Sequence, residues 1–433
     1  MIQNNGRTER RYYLWNIGCQ MNRADAQRVS EVLEQRGYVP TRDPREARVI
    51  LLNTCVVRQS AEDRVIGRLA SLRPVREDDP RRALLVMGCF VGDDLPALEA
   101  AYPYVDGFFR PSDVPGVTAF VEEWEQRQGL DCDGECGTVS STPVSALVPI
   151  SYGCDHHCTY CIVTIRRGEQ RSRPVADIVA DAEKMVARGA REIVLLGQNV
   201  DAYGLDVPGG PDLADVLAAV HEIDGLWRIR FLTSHPKEMS PRIIEAVATL
   251  LKVCESWELP VQSGDDAVLR RMGRGYTVDH FRDLVGRIRR ATPQGSINTD
   301  VIVGFSGETE AQFENTLALV EELRFDAVHI AAYSVRPGTP AARWEDDVPA
   351  EEKERRRALI EETQTRIAGE LNAPLLGQTL EVLVDGRQRG RWRGRTRANK
   401  LVFFESDAEW TGRLARVRIT WTGPWSMIGE VVA

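Results

Sequence analysis

Long hydrophobic runs are absent from this sequence. No stretch approaches the ~20 apolar residues that a bilayer-crossing helix needs, and Met1 to Arg11 is polar and basic with no apolar segment behind it. The expectation is a soluble, cytoplasmic protein with no membrane partner and no export signal. Net positive charge is also lacking: the chain carries −9 at pH 7, so its surface as a whole is not built for nucleic acid. Internal repeats and low-complexity tracts are missing, which excludes a solenoid or a disordered tail as the organising principle. What remains is globular in composition, 43% apolar and 27% charged, and 433 residues are enough for two or three domains.

Cysteine, by contrast, is well supplied. Nine cysteines in a long chain with no export signal argue against a disulfide framework and for metal binding or catalysis. Their placement depends on the domains, and the apolar pattern divides the chain into three.

Residues 1–128 alternate short apolar runs (Tyr12–Ile17, Val49–Leu52, Leu84–Met87) with helical stretches (Ala24–Gln35, Ala61–Leu72, Leu95–Ala101), the rhythm of a small α/β domain with a parallel sheet. Residues 129–143 read as a Gly/Ser/Thr/Pro linker. Residues 144–372 resume the rhythm with six candidate strands: Ala146–Ser151, Glu192–Leu196, Ile229–Leu232, Trp257–Val261, Ile297–Val303 and Val328–Tyr333. Six β/α units predict a partial (β/α)6 barrel with its chemistry at the C-terminal strand ends. A charged helix from Ala350 to Leu371 closes it. Residues 373–433 carry short alternating runs at Thr379–Val384, Leu401–Phe404, Leu414–Trp421 and Met427–Val432, as a small antiparallel β-barrel would.

Directly after the first barrel strand comes Ser151-Tyr-Gly-Cys154-Asp-His-His-Cys158-Thr-Tyr-Cys161. Three thiolates on one short loop can grip three irons of a four-iron cube and leave the fourth open to a small molecule. The carboxylate and amine of S-adenosylmethionine suit that iron. The other reading is a zinc loop with His156 or His157 as fourth ligand, although structural zinc sites usually pair two C-x2-C-like halves. Three more cysteines, Cys19, Cys55 and Cys89, each sit just past an N-domain strand. In a parallel sheet such loops emerge on one edge, so the three thiols can converge although about 35 residues separate neighbours in sequence. Each alone also reads as an ordinary half-buried cysteine.

On these residues the chain resembles the methylthiotransferases of the radical S-adenosylmethionine superfamily, most closely the tRNA-modifying MiaB-type members. The matching stretches are Gly18-Cys-Gln-Met-Asn22, Asn53-Thr-Cys55, Gly88-Cys89, the Cys154–Cys161 loop, Arg167-Gly-Glu169 and Ser172-Arg-Pro174. They continue through Leu196-Gly-Gln-Asn-Val200, Thr233-Ser-His-Pro236, Leu259-Pro-Val-Gln-Ser-Gly264, Val303-Gly-Phe305, Gly307-Glu-Thr309 and Arg336-Pro-Gly-Thr-Pro340. The last domain, with Gly394-Arg-Thr-Arg-Ala-Asn399, resembles the RNA-binding TRAM domain. Two departures bear on loop shape: Thr164-Ile165 stands where relatives usually show a Pro-containing stretch, and Ser306 where they show Pro.

The resemblance implies two [4Fe–4S] clusters, one on Cys154, Cys158 and Cys161 and an auxiliary one on Cys19, Cys55 and Cys89, with Tyr160 near the adenine of S-adenosylmethionine. It implies a sulfur-group transferase that installs a methylthio group at C2 of an N6-isopentenyl-type adenosine at tRNA position 37, beside the anticodon. No catalytic side chain beyond the cluster ligands is expected. An electron donor and a sulfur donor of unknown identity are expected partners, and a monomer is the expected state. Nearby alternatives are methylthiotransferases for threonylcarbamoyl-adenosine in tRNA or a ribosomal-protein aspartate. An alternative of another class is a non-catalytic iron–sulfur protein that binds RNA or passes electrons.

Several residues keep two readings. Gly197, Gln198, Val303 and Gly304 line the cofactor pocket or are strand-end turn residues. From Pro374 on there are ten Lys/Arg against six Asp/Glu, seven of them between Arg387 and Lys400. The stripe Arg387, Arg389, Arg391, Trp392, Arg393, Arg395, Arg397 and Lys400 either holds the phosphates of the anticodon stem-loop or is a solvated hairpin face. Arg167 and Arg173 face substrate or cofactor, or form an exposed basic turn. Cys132 and Cys136 are a metal site or incidental loop residues; Cys254 reads as packing.

Overall fold

A computed structural model of the chain describes residues 10–57, 59–130 and 142–432. The backbone forms two compact units, Met1–Ser141 with Ile162–Glu169, and Thr142–Cys161 with Gln170–Ala433. Among the described residues no helix is long and apolar enough to cross a membrane.

In the first unit, β1 (Arg11–Asn16), β2 (Val39–Pro40), β3 (Val49–Thr54), β4 (Ala83–Gly88) and β5 (Gly107–Phe109) form a parallel sheet in the order β2-β1-β3-β4-β5. The intervening helices are α1 (Gln20–Gln35), α2 (Gln59–Asp78), α3 (Leu95–Ala101) and α4 (Val114–Gln128). Every residue of β3 and β4 is buried, because alternate side chains feed two cores. Leu51, Leu85 and Met87 pack with Val29, Leu33, Val121 and Trp124 on one face. Ile50, Leu52, Leu84 and Val86 pack with Val65 and Leu69 on the other. A strand covered on both faces has no polar side, hence its continuous apolar run. The apolar pattern predicts three strands; β2 and β5 are additional, and at two and three residues they are too short to carry a period of their own.

The second unit opens with β6 (Ser145–Pro149) and β7 (Ser151–Tyr152). The chain leaves it for α5 (Val163–Arg167), a part of the first unit, where Ile162 joins the core of Leu52 and Val86. It returns at β8 (Arg171–Ser172), which pairs with β7. Then follow α6 (Val175–Ala187), β9 (Glu192–Leu196), α7 (Leu213–His221), β10 (Arg228–Phe231), α8 (Pro241–Thr249), β11 (Ser256–Glu258), α9 (Asp266–Met272), α10 (Val278–Ala291), β12 (Ser296–Val303), α11 (Glu310–Leu323), β13 (Ala327–Ala332) and α12 (Ala350–Asn372). The strands make two parallel triplets, β6-β9-β10 and β11-β12-β13, joined by a bridge between Ile229 and Val253. No pairing joins β13 to β6 among the described residues, so this is an open (β/α)6 barrel. Ile193, Leu195, Ile229, Phe231, Trp257 and Val301 bury their side chains against the surrounding helices.

The C-terminal residues form a closed barrel, β14 (Thr379–Gln388), β15 (Arg391–Arg395), β16 (Leu401–Phe404), β18 (Met427–Val431) and β17 (Leu414–Thr422), in that spatial order. One pair, β16 with β18, runs parallel, so the barrel is not wholly antiparallel. The whole of β15 lies inside the basic stripe: its sequence Arg-Trp-Arg-Gly-Arg alternates charged residues with Trp392 and Gly394, which face the core. This barrel is fastened to the larger one. Arg228 and Arg230, both buried on β10, donate to the carbonyls of Arg395, Thr396 and Arg397 at 2.7 Å each, and Arg230 pairs with Glu192. Burying a guanidinium is tolerable when fixed acceptors meet its donors.

Candidate functional site

The N-domain cysteines leave the sheet edge where β1, β3 and β4 end, and three backbone features draw their loops together. Gly18 has φ 126°, and a side-chain carbon there would fall 2.6 Å from the Cβ of Cys55. Gly88 has φ 106°, and its side-chain carbon would fall 2.4 Å from the Thr54 carbonyl oxygen. Asn22 Nδ2 donates to the Ile17 and Thr54 carbonyls at 2.9 and 2.7 Å, and Cys89 N donates to the Thr54 carbonyl at 3.0 Å. Only glycine allows such approaches. Cys19 is the N-cap of α1 and makes no capping bond, so its sulfur is left at the positive end of a helix, a favourable place for an anionic ligand.

The three sulfurs act on one another. Burial pushes the Cys55 thiol up to about 11; the Val57 N–H and Arg167 oppose the rise, and Cys89 and Cys19 add to it. Burial likewise raises Cys89, with Arg167 opposing and Cys19 adding. Binding iron as thiolates requires these protons to leave, so loading a cluster on such a trio consumes base.

The barrel trio has its own clamp. Thr159 N donates to the Met272 carbonyl at 3.0 Å, and Thr159 Oγ1 donates to the Arg271 carbonyl at 2.8 Å. Gly273 presses on the loop: its side-chain carbon would fall 3.0 Å from the His157 carbonyl. Arg274, flanked by Gly273 and Gly275 and itself 5% exposed, donates to Cys158 Sγ at 3.5 Å and to the Pro260 carbonyl at 2.9 Å. Cys154 is raised by burial, with the His156 N–H opposing and Cys158 adding. Tyr160, half-buried, stands edge-on to Phe305 at 6.3 Å between ring centroids. The zinc alternative needs a histidine turned to the sulfurs. His156 instead donates to Glu238 at 3.0 Å and stacks on His235 at 4.0 Å, while His157 is exposed.

Polar atoms without partners mark the mouth of the barrel. Ser151 Oγ, both side-chain polar atoms of Asn199, His235 Nε2 and Gln262 Oε1 are buried and have no hydrogen-bond partner among the described residues, and they follow β6, β9, β10 and β11 in turn. Each such atom costs about 1–3 kcal/mol unless something answers it. A ring of them at the C-terminal strand ends fits a polar ligand there. His235 is pushed down to about 4 by burial, with Glu238 opposing, so at neutral pH it is uncharged. Its Nδ1 lies 2.8 Å from a Glu238 carboxylate oxygen and 3.3 Å from the Lys237 N–H, and its Nε2 faces the barrel mouth without a partner among the described residues. Asp201 beside it is pushed up to about 7 by burial, against the His235 N–H and the Ser234 hydroxyl that hold it down.

Other sequence-marked residues have varied surroundings. Gly197 permits a close approach, its side-chain carbon falling 2.6 Å from Ser151 Oγ, and Gln198 is half-buried next to it. Val303 is fully buried in the barrel core, and Gly304 lies against the Lys353 stem, 2.3 Å from where a side-chain carbon would be. Arg173 is tied to the Pro149 carbonyl and to Asp181, both at 2.7 Å. Arg167 is internal to the first unit, its side chain 3% exposed. Cys254 is buried; Cys132 and Cys136 lie outside the described residues.

Within the basic stripe, Arg387, Arg389 and Arg391 are exposed. Trp392 is buried, its Nε1 donating to the Ser406 carbonyl, with the Arg387 guanidinium 3.9 Å from the ring centroid. Arg393 pairs with Asp385 at 2.8 Å, and Arg395 donates to the Asn399 carbonyl at 2.9 Å. Arg397 holds Glu255, and Lys400 holds Asp326 and Asn372, all within the second unit. Sequence reasoning missed Arg274. The available signal was a charged residue between two glycines, Met272-Gly-Arg-Gly-Tyr276, which proteins use where a turn must hold a side chain against its neighbours.

Family models match along most of the chain: the Radical SAM superfamily over residues 148–320, the Uncharacterized protein family UPF0004 over residues 11–110, and the TRAM domain over residues 375–432. The fold has solved counterparts. The radical S-adenosylmethionine methyltransferase TsrM from Kitasatospora setae superposes with a TM-score of 0.55 at 13% identity, covering 77% of each chain. Barrel, cysteine loop and family model together define a radical S-adenosylmethionine protein.

Full-length relatives narrow this. The tRNA-2-methylthio-N(6)-dimethylallyladenosine synthase of Roseiflexus sp. (strain RS-1) is 50% identical over 97% of this chain and 89% of its own length. That of Dehalococcoides mccartyi (strain CBDB1) is 47% identical over 97% of this chain and 98% of its own. The chain belongs to the family of tRNA-2-methylthio-N(6)-dimethylallyladenosine synthases.

Proposed function

We propose that this enzyme converts N6-isopentenyl-type adenosine at tRNA position 37 to its 2-methylthio derivative in the cytoplasm. Cys154, Cys158 and Cys161 would hold one [4Fe–4S] cluster, and Cys19, Cys55 and Cys89 a second. When bound, the clusters and S-adenosylmethionine supply the 5′-deoxyadenosyl radical and the methylthio group for an aromatic C–H bond that acid–base chemistry cannot activate.

The chain's own residues bind and orient. Ser151, Asn199, His235 and Gln262 offer unanswered polar atoms to the amino-acid and ribose groups of S-adenosylmethionine, and Tyr160 with Phe305 offers an apolar wall to its adenine. Neutral His235 offers Nε2 to a polar ligand group while Glu238 fixes its ring. Arg387, Arg389 and Arg391 are the exposed stripe residues that offer charge to phosphate, Arg387 from over the Trp392 ring and Arg391 from a solvent-exposed pair with Glu405 at 2.9 Å. A loop nucleotide can be splayed out for such chemistry at modest cost.

The observation that carries this reading is that each cysteine trio lies on its own compact unit with a buried arginine at one of its sulfurs, Arg274 at Cys158 and Arg167 acting on Cys89. The test uses reconstituted protein with dithionite, S-adenosylmethionine and an isopentenylated anticodon stem-loop, analysed by nucleoside mass spectrometry. Methylthio-isopentenyl adenosine and 5′-deoxyadenosine are expected. Deoxyadenosine without methylthiolation of this RNA would reject the substrate.

A further inference from the structure

Arg167 stands beside the N-terminal cysteines, and its burial is nearly complete. It lies in α5, six residues after Cys161 in sequence, and its side chain is 3% exposed. Burying a guanidinium requires compensation. Its bonded partners are mostly neutral: Nη2 donates to Asn22 Oδ1 at 2.7 Å and Nη1 to Ser112 Oγ at 3.1 Å. The carboxylate of Asp25 stands 3.7 Å away, beyond a direct hydrogen bond, and it leans instead on Ser112 at 3.0 Å.

The remaining neighbours are sulfurs. The charge of Arg167 acts on Cys89, Cys19 and Cys55, opposing the rise that burial imposes on the Cys89 and Cys55 thiols. Asn22 Oδ1, which receives Arg167, also lies 3.6 Å from Cys19 Sγ. Cluster sulfurs carry negative charge and answer a buried cation well.

We propose that Arg167 is the positioning cation of the N-terminal cluster, donating N–H bonds to its cysteine sulfur and setting how readily that cluster accepts an electron. The inference rests on the cluster assignment above. Charge and hydrogen bonds at sulfur are the protein's levers on cluster potential, and a nearby cation favours the reduced, more negative form. Asn22 and Ser112 aim the guanidinium, and Asp25 holds Ser112 in place. Because α5 follows directly on the radical-site loop, the segment that ends one cysteine trio also furnishes the cation of the other.

The experiment isolates the N-terminal cluster in the full chain by substituting Cys154→Ala, Cys158→Ala and Cys161→Ala together, then adds Arg167→Gln or Arg167→Lys. Iron content and a redox titration followed by electron paramagnetic resonance are read after anaerobic reconstitution. The parent should hold about four irons. Arg167→Gln should move the midpoint to more negative potential by at least tenfold in the oxidised-to-reduced ratio, about 59 mV for a one-electron couple. Arg167→Lys should move it less, since charge is kept. Loss of iron from the Gln variant alone, with the Lys variant loaded, also supports the role. Equal midpoints and spectra in all three, or equal iron loss in Gln and Lys, overturns it. An iron-free parent overturns the cluster assignment itself, a separate failure.

Discussion

The two cysteine trios solve one problem by opposite means. The barrel trio occupies eight consecutive residues, Cys154 to Cys161, so covalent connectivity does most of the gathering, and neighbours only press the loop into shape. The N-terminal trio comes from three strand ends, and there the sheet register does the gathering, completed by Gly18, Gly88 and Asn22. Each trio has one buried arginine, Arg274 or Arg167. A contiguous site tolerates backbone error elsewhere; a split site is as accurate as the sheet beneath it.

Losing a ligand from each trio gives the largest contrast. Cys158→Ala should abolish 5′-deoxyadenosine formation, and Cys55→Ala should retain it while methylthiolation disappears. Each should cut iron from about eight to about four per chain, measured by iron assay and product chromatography. Loss of all iron in either variant would break the independence of the two sites.

Backbone substitution should separate them next. Gly88→Ala meets both a left-handed φ and the Thr54 carbonyl at 2.4 Å, so a loss of about 4 kcal/mol is expected from strain and displacement together. Iron should fall at the N-terminal trio only. Gly168→Ala also has positive φ, 73°, with ψ −165°, a backbone conformation nearly confined to glycine, but nothing lies within 4 Å of its new carbon, and about 2 kcal/mol is expected from strain alone. Urea unfolding of the metal-free proteins measures both.

The barrel mouth adds a pH dependence. Asp201 is raised to about 7, above its unfolded value near 4. The folded chain therefore keeps a proton that the unfolded chain releases, and stability falls as pH rises from about 4 to about 7. Asp201→Asn should remove that slope, changing the stability difference from wild type across the window by at most ~4 kcal/mol, as followed by denaturation at several pH values.

Arg274→Met should slow S-adenosylmethionine cleavage by about 10–100-fold while leaving N-terminal iron intact, the range for removing a partner of a metal ligand. The smallest effect belongs to RNA. Arg391→Ala should lower the slope of log affinity against log salt by about 0.7–0.9 for one lost phosphate contact. Lys400→Ala, whose amine is held by Asp326 and Asn372, should change thermal stability and leave that slope alone. Filter binding across a salt series separates them.

What could be read beforehand follows the same division. The Cys154–Cys161 spacing and the apolar runs of β3, β4, β9 and β12 carry their meaning within a few residues, so they are plain in the sequence. Cys19, Cys55 and Cys89 needed a parallel sheet as an intermediate step, which the rhythm of strands supplied. Arg167 and Arg274 were not legible as partners of sulfur: the glycines around Arg274 mark a special turn without naming what it meets, and long-range packing decides which atoms a buried arginine faces. β15 was hidden for a related reason: five residues with three arginines look solvated, and only the alternation with Trp392 and Gly394 betrays an inward face. For the same cause the bonds of Arg397 to Glu255 and of Lys400 to Asp326, both on the larger barrel, were not legible within the basic stripe.

The seam between the two barrels has a practical consequence. A chain cut ahead of Leu375 would strip the carbonyl acceptors from Arg228 and Arg230, stranding two cations beside a single carboxylate, Glu192. The C-terminal module is thus no detachable accessory: excising it to simplify the enzyme would unseat the floor on which the catalytic half stands.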